Sequence, residues 1–93
     1  MIRKLLFCLF LFIALLGARQ SEANEDLDAA HQAELSGDLS RAESIYRKLL
    51  AVHPDADVYQ RLGLVRHLQN KFAEASRAFE EAVRWFDAEG YLR

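Results

Sequence analysis

Residues 37–50, GDLSRAESIYRKLL, and residues 70–83, NKFAEASRAFEEAV, are two versions of one pattern. A shift of 33 residues pairs Leu39 with Phe72, Ala42 with Ala75, Tyr46 with Phe79 and Leu49 with Ala82, and the same shift pairs Ala30 with Gly63. A fixed period of this length marks a repeat architecture, in which each unit is one supersecondary motif that buries its apolar face against a neighbour. Inside each stretch the apolar residues recur at helical spacing, as Leu39, Ala42, Ile45, Tyr46, Leu49 and Leu50, then as Phe72, Ala75, Ala78, Phe79, Ala82, Val83 and Phe86. That is the buried stripe of an α-helix. The small residue at 30 or 63 and the aromatic at 46 or 79 predict a close approach of two helices, with a ring filling the space beyond it.

Working outward, the breaks between the stretches repeat as well. Ser36-Gly37-Asp38 supplies a glycine stop for one helix and a capping carboxylate for the next, and His53-Pro54-Asp55 ends a second helix and prepares a third. Gln69-Asn70-Lys71 stands where Gly37 stands one period earlier, and asparagine is the other residue that enters the left-handed region readily. The spacing predicts helices over 25–36, 39–53, 57–69 and 71–88, with no strand pattern. Ser40-x-x-Glu43 reads as a capping box.

The first 23 residues differ in kind. Met1-Ile2-Arg3-Lys4 is followed by the apolar run Leu5 to Leu16 and then by small and polar residues up to Ala23, the order of a secretory signal. The run would cover only about 18 Å as a helix, against roughly 30 Å of hydrocarbon. Ser21 and Ala23 are small residues at the two positions a signal peptidase reads, which sets the expected cut between Ala23 and Asn24. Cys8 lies inside the run after Phe7, away from where a lipoprotein cysteine would stand. Cleavage would leave a chain without cysteine, excluding disulfides and thiolate chemistry. Export to a bacterial periplasm is the expectation, and an uncleaved helix anchored in the inner membrane is the alternative. After the leader, 9 basic and 13 acidic side chains remain, a net of −4. No basic stripe is left to neutralise phosphates, so nucleic acid is not expected as a partner.

The units resemble the tetratricopeptide (TPR) repeat family. The second carries Tyr59, Leu62-Gly63, Phe72, Ala75, Phe79 and Ala82, and the first carries Ala30, Gly37-Asp38-Leu39, Ala42, Tyr46 and Pro54. Three positions depart from that family's pattern: Asp26 replaces a large apolar residue, Arg66 an aromatic and Asp87 the closing proline. The first helix is therefore expected to pack loosely. The resemblance implies an all-α fold of two TPR helix-turn-helix units, a right-handed α-solenoid fragment, at about 24–55 and 56–89 after an N-terminal signal helix. It also implies a protein-protein interaction module whose first helices line a groove for a peptide or helix of a partner. The groove positions are then His31, Glu34, Gln60, Leu64 and His67, with Leu27, Leu35 and Leu68 standing equally as core or groove. With only two units and no capping helix, Trp85, Phe86, Tyr91 and Leu92 form a candidate aromatic edge for a partner or for self-association, unless Gly90 folds the tail back.

Catalytic signatures are missing. His31, His53 and His67 are far apart in sequence and lack the spacing of metal ligands. Glu80-Glu81 and Asp55-x-Asp57 have the look of solvated faces, and neither a phosphate loop nor a nucleophile elbow occurs. No cofactor, metal or enzymatic activity is expected. Any contact with a membrane is expected only through the N-terminal segment, if it stays attached.

Overall fold

The computed structural model describes residues 22–88, which form four helices: α1 over 22–36, α2 over Leu39–Val52, α3 over Ala56–Leu68 and α4 over Phe72–Ala88. Among the described residues there is no strand. The expected Ala23–Asn24 cleavage bond lies in the first turns of α1; the rest of the expected leader, with Gly90, Tyr91 and Leu92, lies outside the described residues.

The two turns inside the helix pairs are built alike, one period apart. Gly37 has φ 82° and Asn70 φ 65°. At the first, Gly37 N–H donates to Glu34 O (3.1 Å) and Asp38 N–H to Ala33 O (2.8 Å); at the second, Asn70 N–H donates to His67 O (2.9 Å) and Lys71 N–H to Arg66 O (2.9 Å). Both are Schellman motifs, which satisfy the last carbonyls of a helix and need a left-handed residue. The helix starts are less alike. Asp38 and Asp55 cap α2 and α3, accepting from Arg41 N (3.2 Å) and Val58 N (3.1 Å). Lys71 has no acceptor to offer α4 in the same role. The expected Ser40–Glu43 capping box is not formed, because Asp38 holds the cap and the Glu43 carboxylate turns to Gln69 and Lys71.

The core runs through all four helices. Ala30 and Ala33 of α1, Ala42, Tyr46 and Leu50 of α2, Leu62 and Val65 of α3 and Ala78 of α4 form one buried cluster. The alanines at 30 and 33 let α1 come close enough to be covered, so this helix is seated in the core and not loosely packed; Asp26 instead pairs with Lys48 at 3.5 Å. Helix α3 packs against both α2 and α4. Its apolar residues accordingly spread around much of its circumference, as expected of a helix with neighbours on two sides. The predicted close approach is seen at Gly63, where a Cβ would stand 2.5 Å from Cε1 of Phe79.

Candidate functional site

Residues of α1 and of α3 with its cap line one open depression of about 570 Å³. Leu27, His31, Gln60 and Leu64, all predicted as groove positions or groove-or-core, line it together with Asp55, Asp57, Val58 and Arg61. Leu64 and Gln60 are both exposed on its wall. The other predicted groove residues behave differently. Glu34 bridges α1 to α3 by pairing with Arg61 at 3.5 Å, and His67 makes an edge contact with Phe72 at 5.2 Å between ring centroids. Leu35 and Leu68, one period apart, are 82% and 64% exposed and are therefore not core; Leu27 is half-buried and packs on the core.

Behind His31, on the core side of the depression, two polar atoms are buried. His31 tilts against Tyr46 at 6.3 Å between centroids, and its Nε2 is buried without a hydrogen bond. The Tyr46 hydroxyl is also buried without a well-formed hydrogen bond. Burial pushes that phenol well above its ordinary range, and the neighbouring Glu34 carboxylate adds to the shift, partly offset by Arg61. The phenol stays neutral. Arg61, Gln60 and the carboxylates of Asp55 and Asp57 suit hydrogen bonding to a peptide, while Leu27, Val58 and Leu64 offer apolar contact. Arg61, Asp55 and Asp57 were missed because each reads as a solvated charge; they stand together at the start of α3, and the depression sets Leu27 and His31 of α1 opposite them.

On the far side, α4 carries an apolar stripe. Phe72, Phe79, Val83 and Phe86 fall within about 60° of one another at about 100° per residue. Phe72 and Val83 are 56% and 58% exposed, whereas Phe79, Phe86 and Trp85 are half-buried. Trp85 projects about 100° from Phe86, on the other side of the buried row Ala75, Ala78 and Ala82. Phe72 and Val83 were not singled out from sequence as edge residues, although the spacing that links them to Phe86 is visible there. Tyr91 and Leu92 lie outside the described residues.

Among the described residues no three potential ligands gather closely enough to hold a metal ion, and no helix is long and apolar enough to cross a membrane. His53 is exposed and its Nδ1–H donates to Pro54 O at 2.8 Å. Compared with known proteins, the chain matches no protein-family model, no curated protein and no solved structure, so its function has to be read from its own residues.

Proposed function

We propose that this chain is an exported, non-enzymatic interaction module of the TPR type, which holds a peptide or helix of a partner protein in the depression between α1 and α3. The observation that carries the reading is the gathering of Leu27, His31, Gln60 and Leu64 from two helices one period apart into one open, mixed apolar and polar concavity. The paired Schellman turns at Gly37 and Asn70 support the repeat register on which it rests. The stripe on α4 supplies a second contact surface, for a partner or for another copy of the chain, because among the described residues no helix covers Phe72 and Val83.

Photo-crosslinking in the native cell tests this. A benzophenone amino acid at Gln60 or Leu64 is expected to form an adduct with one defined protein, and the same probe at Ser40 is not. A probe at Val83 reports the α4 surface, and an adduct of twice the chain mass there reports self-association. If neither Gln60, Leu64 nor Val83 yields a defined adduct, the interaction reading is wrong. Fractionation of the same cells tests the export part: a periplasmic product shortened by the 23-residue leader is expected, while full-length chain in the membrane fraction would establish an anchored assembly component instead.

A further inference from the structure

We infer that the cleft between α2 and α4 binds an oxyanion, a phosphate or carboxylate group, at a site separate from the depression between α1 and α3. Its walls are Glu43 and Arg47 of α2, Arg66 of α3, and Glu74 and Arg77 of α4, around an open volume of about 390 Å³.

The charges do not cancel inside this cleft. Glu43 accepts from Gln69 Nε2 at 2.8 Å and from Lys71 Nζ at 3.2 Å, so its charge is already balanced within the fold. Glu74 is only loosely engaged, with its carboxylate 4.0 Å from Arg66 Nε. Arg66 is held in place by donating from Nη1 to Glu74 O at 3.3 Å, and its buried Nε–H has no hydrogen bond. Arg47 and Arg77 enter from opposite walls, and neither forms an ion pair among the described residues. Three guanidinium groups therefore face a space whose one remaining carboxylate, Glu74, is loosely paired with Arg66, in a chain that is acidic after its leader.

Repeat packing alone does not call for this arrangement. One period earlier the counterparts of Arg66 and Arg77 are Ala33 and Ser44, and the same turn is built there without them. Guanidinium groups recognise planar and tetrahedral oxyanions through paired N–H donors, and a partly enclosed site is screened by salt less than an open surface. A neutral ligand would leave the Arg66 Nε–H unpaired and two cations desolvated, which is unfavourable.

The test is titration of the full chain with inorganic phosphate at matched ionic strength, read by the NMR shifts of the arginine Nε–H groups. A saturable shift of the Arg66 signal is expected. In the double variant Arg47→Gln/Arg77→Gln binding is expected to weaken roughly tenfold or more, equivalent to about 1.4 kcal/mol. The control pair Lys48→Gln/Arg84→Gln is expected to bind as the parent does. Arg66→Lys, which keeps the charge and removes the fork, is expected to weaken binding with helicity retained by circular dichroism. Acetate and a phosphoserine peptide form the remaining arms. Much tighter binding of the peptide than of free phosphate identifies a protein-borne group, and equal binding identifies the free ion. Non-saturable shifts with phosphate, acetate and peptide alike overturn the site, as does equal weakening by the control pair.

Discussion

Helices α2 and α4 carry the same stripe one period apart, but only one of the two is covered. Tyr46 and Leu50 on α2 are 0% and 8% exposed, while their counterparts Phe79 and Val83 on α4 are half-buried and 58% exposed. The residues are similar in size and character, so composition does not explain the contrast. Position does: α3 packs against both helices, but α2 lies between α1 and α3 in the chain and shares their core, whereas among the described residues no helix follows α4. Burial of a large apolar side chain contributes on the order of 2 kcal/mol, so an uncovered stripe forgoes stability that the first pair has secured. A surface of this kind is where the next unit of a repeat array, or a partner taking its place, would gain the most.

The largest expected effect separates the two stripes directly. Tyr46→Ala removes a fully buried ring from the centre of the core and is expected to cost about 3–5 kcal/mol, enough to unfold much of a two-unit array. Phe79→Ala removes a half-buried ring and is expected to cost roughly half as much. Urea denaturation followed by circular dichroism measures both; equal losses would mean that α4 is as well covered as α2.

A smaller effect concerns the clamp that ties α2 to the α3–α4 turn. Burial alone would raise the Glu43 carboxyl, but the hydrogen bonds from Gln69 and Lys71, with the charges of Lys71 and Arg66, outweigh it and hold the group below its ordinary 4.5. The folded state thus binds the proton less tightly than the unfolded one. The stabilisation is complete above about pH 5 and is lost as the pH falls through the lowered value. Glu43→Gln is expected to reduce stability by about 1–2 kcal/mol at neutral pH. Melting temperatures across the acid range should then show a flatter decline for the variant; an unchanged slope would show that other carboxylates carry the acid sensitivity. No equivalent of this clamp is expected in the first pair, where Ala33 stands in place of Arg66.

The smallest effect probes the two turns. Gly37 and Asn70 occupy the same left-handed conformation, but asparagine pays a steric cost for its Cβ that glycine avoids. Asn70→Gly is expected to change stability by only a few tenths of a kcal/mol, whereas Gly37→Ala, with open space around the new Cβ, should still cost about 1 kcal/mol from backbone strain. Thermal melts of both variants measure the difference. A neutral Gly37→Ala would show that the turn can relax out of the left-handed region.

Much of the helical framework was legible in the sequence because its signals act over a few residues. Expected boundaries at Ser36, Leu39 and Ala88 agree with the helices, and the others, apart from the start of α1, lie within one residue of them. The site was less legible. His31, Gln60 and Leu64 line one depression, while Glu34 and His67 are engaged with Arg61 and Phe72. Arg66 looked like a flaw in the pattern; in the fold it projects into a cleft beside Arg47 and Arg77. Neither partner is predictable from helical spacing, because each comes from a different helix.

The sequence by itself determined the helices, their stops and the 33-residue register, through glycine and asparagine turns, aspartate caps and apolar spacing that operate within one or two helical turns. Only the tertiary structure decided that Glu43 would join Gln69 and Lys71 across 26 and 28 residues, that Tyr46 would be buried while Val83 stays open, and that Leu35 and Leu68 would face outward. The physical reason is range. Backbone geometry is set by neighbours along the chain, whereas burial and charge pairing depend on which helix arrives from elsewhere; α4 has α3 against one face and, among the described residues, no later helix over its outer stripe.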